Sequence, residues 1–102
     1  MPNSSYLFVL CPPYSGSTLL WKLLSTSQNV SSLPQEGQFL PELEKFMRDK
    51  PWNPNQILPW PEIKAVWESY WDMQKPVLLE KSPPNLIRTQ DILAHFHPVK
   101  FI

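Results

Sequence analysis

Glycine and cysteine are the scarcest informative residues in this 102-residue chain, with two of the first and one of the second. A lone cysteine, Cys11, excludes an intramolecular disulfide framework, and at the end of an apolar run it reads as a small core residue. No apolar stretch approaches the roughly 20 residues of a membrane-spanning helix. The first apolar run is preceded by no basic region and is shorter than the roughly 7–15 residues of a signal-peptide core, so a soluble cytoplasmic protein is expected. Nine basic residues balance nine acidic ones. That balance gives no electrostatic reason to expect nucleic acid or an anionic membrane as partner, although a local cationic pocket is still allowed. No His/Cys/Asp/Glu spacing has the form of a metal site, and no metal is expected. The Asn-x-Ser matches at Asn3 and Asn29 carry little weight without an export signal.

What the chain has in excess is proline, at 13 residues. The prolines follow no repeat, and they read as punctuation of helix starts and loops. Chain length fits one domain over residues 1–102, able to bury roughly two-thirds of its unfolded surface.

The most informative stretch is Cys11-Pro12-Pro13-Tyr14-Ser15-Gly16-Ser17-Thr18-Leu19-Leu20. Tyr6 to Leu10 has the content of a buried strand. Leu19, Leu20, Leu23 and Leu24 recur at helical spacing over about Ser17 to Ser25, which predicts an inward leucine face with Lys22 opposite. A strand, a small-residue turn and a helix start gather unpaired N–H groups and the positive end of the helix dipole at one point. Phosphate or sulfate suits such a loop. A nucleoside-triphosphate loop would need Gly-Lys-[Ser/Thr], and that pair is absent. An ordinary strand-to-helix turn would read the same way.

The rest of the chain supplies alternating elements. The polar run Ser25 to Ser32 reads as a connection. Glu36 falls in a loop ahead of an apolar helical stripe of Phe39, Leu40, Leu43, Phe46 and Met47. After a proline- and tryptophan-rich connection over 49–61, Ile63, Val66, Trp67, Tyr70 and Trp71 form the clearest helical pattern in the chain. This stripe is expected in a core, with an apolar acceptor pocket lined by Trp52, Trp60, Trp67 or Trp71 as the alternative. Val77-Leu78-Leu79 reads as a buried strand running into Glu80-Lys81-Ser82-Pro83. Ser82 is an expected N-cap with Pro83 at the first helical position. The helix would run from about Pro83 to Phe96, with Leu86, Ile87, Leu93 and Phe96 inward and Arg88 and Asp91 at the surface. Val99 to Ile102 begins another strand. Three strands alternating with helices predict an α/β unit with a parallel sheet. A strand entered at the last residues suggests a domain that continues past Ile102.

Two of these segments together resemble one family. Pro13-Tyr14-Ser15-Gly16-Ser17-Thr18-Leu19 is similar to the 5'-phosphosulfate loop of the sulfotransferases that use 3'-phosphoadenosine 5'-phosphosulfate (PAPS), with Tyr14 where that loop usually carries a basic residue. Glu80-Lys81-Ser82-Pro83, followed by a helix and Phe96-His97-Pro98-Val99-Lys100-Phe101-Ile102, looks like a second landmark of the branch that includes tyrosylprotein sulfotransferases and bacterial homologues. The resemblance implies a P-loop-NTPase-like parallel sheet flanked by helices, of which this chain holds the N-terminal part. It implies transfer of a sulfuryl group from PAPS to a hydroxyl or amine on a small-molecule or peptide acceptor. Glu36 would take the acceptor proton, and Lys81 would stabilise the transferred group and the leaving phosphate. Residues 13–19 would bind the 5'-phosphosulfate, Ser15 to Thr18 through backbone and hydroxyl hydrogen bonds. The family's 3'-phosphate ligands would follow Ile102. The chemistry agrees with such a set, since sulfuryl transfer needs both ends oriented and leaving-group charge neutralised. The residues alone also allow Glu36 as a solvated loop carboxylate, Lys81 as a surface charge, and His95 and His97 as helix-end caps. A kinase-like nucleotide-binding P-loop protein, or a non-catalytic cofactor-binding module, are the competing functions.

Overall fold

The computed structural model describes residues 4–12 and 16–102, with Ser17 described without its side chain. Four strands form one all-parallel sheet: β1 (Ser5–Val9), β2 (Val30–Ser32), β3 (Val77–Lys81) and β4 (Val99–Phe101), in the order β2-β3-β1-β4. The helices are α1 (Ser17–Ser25), α2 (Glu44–Met47), α3 (Trp60–Tyr70) and α4 (Thr89–His95), with single 3-10 turns at Gly37–Phe39 and Pro83–Ile87. The chain is therefore an α/β fold with a parallel sheet flanked by helices, as the alternation of patterns predicts.

Side-chain alternation along the strands sorts the two faces of the sheet. Tyr6 and Phe8 of β1 and Leu78 of β3 enter the main core with Trp60, Ile63 and Trp67 of α3, Trp71 just past it, and Ile92 and Phe96 at α4. Aromatic rings meet edge-on there, with Tyr6 and Phe96 centroids at 5.0 Å and Phe8 and Phe96 at 5.2 Å. Edge-on contacts of this kind add roughly 0.5–1.5 kcal/mol each beyond area burial. Trp60, Trp67 and Trp71 thus belong to the core, and Trp52 alone of the four tryptophans considered for an acceptor pocket is exposed. The Trp71 indole also donates to the Leu79 carbonyl at 3.0 Å, tying the end of α3 to the sheet.

Several expectations are corrected. Leu19 and Leu23 of α1 are 65% and 60% exposed, and Leu20 is exposed as well. The helix is rotated so that Trp21, Leu24 and Ser25 take the more covered positions, and of the leucine stripe only Leu24 is partly covered. The segment read as a connection contains β2, which pairs Val30 to Ser32 with Val77 to Leu79. The helix expected over 83–96 is a 3-10 turn followed by α4, with Arg88 between them. That break overturns part of the expected facing: Arg88 is buried while Leu86, Ile87 and Leu93 are exposed, whereas Phe96 is buried and Asp91 exposed as expected. The stripe from Phe39 to Met47 condenses to the four-residue α2 preceded by turns, yet Leu40, Leu43 and Met47 are buried as expected.

No helix among the described residues is long and apolar enough to cross a membrane.

Candidate functional site

Strand register decides where the two sequence landmarks meet. Ser5 pairs with Val77 and the parallel ladder runs to Val9 opposite Lys81, so both central strands end at the same level. The loop after β1 and the turn after β3 consequently leave the sheet side by side. In open parallel α/β sheets this C-terminal edge is where ligands bind.

Gly16 caps α1 with φ 86°, in the left-handed region, and a Cβ built on it would meet nothing within 4 Å. Glycine is needed here for conformation and not for space. Thr18 lies in the first turn of α1. The side chain of Lys81 crosses toward that turn, with Nζ 3.3 Å from Thr18 Oγ1. It also forms an ion pair with Glu36, Nζ to Oε2 at 3.0 Å. Lys81 is only 5% exposed. A buried ammonium must be paired and hydrogen-bonded, so the surface-charge reading of this lysine is excluded. An ammonium has three N–H groups, and these two contacts leave one for a further acceptor.

Glu36 stands at the head of the 3-10 turn Gly37–Phe39. Its Oε1 accepts a hydrogen bond from Gln38 Nε2 at 2.6 Å. Gln38 in turn accepts from Arg48 Nη1 at 2.9 Å. The reading of Glu36 as a merely solvated carboxylate is thereby replaced by a paired one.

Glu80 holds this turn against the sheet. It shares the inward face of β3 with Leu78, and it is 1% exposed. Its Oε1 accepts from the Gly37 N–H at 2.7 Å and from the Ser82 hydroxyl at 3.0 Å, and its Oε2 accepts from Asn85 Nδ2 at 2.7 Å. Ser82 thus spends its hydroxyl on Glu80 and does not cap the following turn through its side chain. Glu80 is bound by three neutral donors, and no cation touches it among the described residues. Burial pushes the Glu80 carboxyl above the ordinary glutamate range, opposed by those three hydrogen bonds and aided by the neighbouring Glu36 charge. Burial also lowers Arg88, partly offset by the Glu80 charge.

Of the residues picked from sequence, Glu36, Lys81 and Thr18 converge and Gly16 supplies the helix cap. Leu19, the residue after Thr18, faces solvent. Pro13, Tyr14 and Ser15, and the Ser17 side chain, lie outside the described residues. Comparison with family models, curated proteins and solved structures finds no match to this chain. The site therefore stands on its own geometry.

Sequence reasoning passed over the supporting roles of Gln38, Ser82 and Asn85. For Glu80 a signal existed: with Leu78 inward, alternation puts Glu80 inward too, and a buried carboxylate demands donors. Gln38 gave no such signal. No group of three or more His, Cys, Asp or Glu residues able to hold a metal occurs among the described residues. An open cleft of about 360 Å³ lined by Pro54 and residues 86–91 includes none of Glu36, Lys81 and Thr18.

The raised Glu80 carboxyl gives a pH-dependent prediction. The folded state binds the Glu80 proton more tightly than the unfolded chain does. Its favourable contribution is therefore complete below the unfolded pKa and lost as pH rises through the folded one. Glu80→Gln can keep the bonds from Gly37 and Ser82 through its amide oxygen. Its NH₂ then faces Asn85, whose buried Oδ1 has no partner and can accept after an amide flip. The Tm of Glu80→Gln is expected to rise relative to that of the unsubstituted protein as pH is raised above the ordinary glutamate range. A Tm difference that stays flat as pH is raised would show that Glu80 does not titrate.

Proposed function

We propose that this chain carries the 5'-phosphosulfate-binding half of a PAPS-dependent sulfotransferase with a P-loop-like sheet. The observation that carries the reading is the placement of Lys81 Nζ between Glu36 Oε2 and Thr18 Oγ1 at the C-terminal ends of β1 and β3. That arrangement sets a carboxylate, an ammonium and a helix N-terminus around one point. The strand order β2-β3-β1-β4, with the glycine-capped helix following the central β1, supports the P-loop-like part of the reading.

The donor set fits an anionic co-substrate. Backbone N–H groups at the α1 start, the Thr18 hydroxyl and the remaining N–H of Lys81 would hold the phosphosulfate. PAPS supplies an activated sulfuryl group when bound. Glu36 accepts the proton of an acceptor hydroxyl or amine as that oxygen or nitrogen bonds to sulfur, using lone pairs not taken by Gln38 and Lys81. Lys81 neutralises the charge that appears on the 5'-phosphate oxygen as its bond to sulfur breaks. Acceptor proton, sulfuryl group and leaving phosphate are then all accounted for. The competing kinase-like reading lacks the Gly-Lys pair that would reach terminal phosphates.

The experiment is direct. The protein is incubated with ³⁵S-labelled PAPS and a panel of phenols, amines and tyrosine-containing peptides. Label on an acceptor with release of adenosine 3',5'-bisphosphate is the expected result. Magnesium-dependent ATP binding with no PAPS binding would overturn it in favour of a nucleotide-binding P-loop protein.

A further inference from the structure

The geometry points to Gln38 as the positioning residue of Glu36, fixed in its working orientation by Arg48. This inference rests on the proposed sulfotransfer for its kinetic consequence, though not for its geometry. Gln38 is 2% exposed, an unusual place for an amide side chain. Its two polar atoms are chemically sorted by their neighbours. A guanidinium only donates, so Arg48 Nη1 at 2.9 Å requires the amide oxygen on its side. A carboxylate only accepts, so Glu36 Oε1 at 2.6 Å requires the amide nitrogen on the other. Both neighbours dictate the same orientation. Arg48 is itself held beside the turn, 5.0 Å from the centre of the Phe39 ring. The turn is pinned in turn by Glu80 on the Gly37 N–H.

An unbroken polar line therefore runs from Arg48 through Gln38, Glu36 and Lys81 to Thr18. Gln38 keeps the Glu36 carboxylate on Lys81 by one oxygen only. Without it, both carboxylate oxygens can close on the ammonium, which takes lone pairs from the acceptor proton and an N–H from the leaving phosphate. Gln38 touches neither reactant in this scheme; it acts through Glu36.

The test compares Gln38→Met, Glu36→Gln and the double substitution. Methionine keeps the volume and removes both hydrogen bonds. Gln38→Met is expected to lower kcat about 10–100-fold, the range for a hydrogen bond to a charged group, with the PAPS KM little changed. The double variant should lose no more than Glu36→Gln alone, because both act through one carboxylate. Losses that multiply would overturn the proposal and leave Gln38 a packing residue. A readout independent of activity uses the side-chain amide pair of Gln38 in ¹H–¹⁵N spectra. That pair is expected to shift on Glu36→Gln and on substitution of the exposed Arg48 by methionine. A pair that moves in neither variant overturns the positioning role whatever the reaction. A pair that moves in a protein that transfers nothing from PAPS supports the positioning and sinks the sulfotransfer reading alone.

Discussion

Glu36→Gln is expected to lower kcat for sulfuryl transfer by about 10²–10⁴-fold, the usual contribution of a general base. The amide keeps the volume of the side chain and one acceptor oxygen for Lys81. It loses the ability to take a proton. Its NH₂ also meets the NH₂ of Gln38 or the ammonium of Lys81, so the variant is best compared with Glu36→Ala, which lacks that conflict. Lys81→Met makes the complementary cut. In the proposed transfer it removes charge beside the leaving phosphate, an effect of about 10²–10³-fold for one stabilising donor, and it leaves Glu36 without its ion-pair partner. Because each partner of this part-buried pair holds the other, the combined variant should lose less than the product of the two single losses. Single-turnover rates with labelled PAPS measure all four proteins. Wild-type turnover in Glu36→Gln would move the base to another residue, and wild-type turnover in Lys81→Met would remove the lysine from the mechanism.

The parts legible in the sequence are those whose signal is local. β1 and β3 are apolar runs, α3 carries apolar residues at helical spacing over two turns, and a parallel sheet follows from their alternation. The meeting of the Gly16 turn with Lys81 was legible through a resemblance that named both. What escaped depends on tertiary contacts. β2 is a three-residue strand, Val30–Ser32, with a single apolar residue, and its pairing with β3 comes from the sheet and not from its own composition. The phase of α1 escaped because the covered side of the helix runs through Trp21, Leu24 and Ser25, leaving Leu19, Leu20 and Leu23 outward. Arg88 looked like a surface residue on a helix face, but the helix is interrupted there and its Nη2 donates to the Pro51 carbonyl at 3.1 Å. Gln38 escaped because no periodicity distinguishes an amide that orders a carboxylate from one that faces solvent. Within the site, the charged residues Glu36 and Lys81 were visible and the polar groups that hold them were not.

Gly37→Ala is expected to cost about 1–3 kcal/mol of stability, the range for overpacking a well-filled core, and to dislodge Glu36 at the same time. The cause is contact and not backbone conformation. A Cβ at position 37 would stand 2.5 Å from Trp67 Cε2 and 2.7 Å from Cζ2, closer than real Cβ contacts allow. The indole cannot retreat easily, because Trp67 is fully buried among Phe8, Trp60, Trp71 and Phe96. The turn must move instead, and moving it stretches the 2.7 Å bond from the Gly37 N–H to Glu80. That bond and the Glu36–Lys81 pair link the 3-10 turn to β3, so a displaced turn moves Glu36 and Gln38 away from Lys81 together. Trp67→Phe in the same chain removes the benzo ring that carries Cζ2 and leaves a smaller ring with room to move away from an alanine Cβ. The double variant Gly37→Ala/Trp67→Phe is therefore expected to be more stable than the sum of the single losses predicts, and to regain part of the turnover lost in Gly37→Ala. Denaturant midpoints and kcat measured across the four-protein cycle decide it. Additive losses would mean that the close approach of Gly37 to the indole is not what holds the Glu36 turn in place.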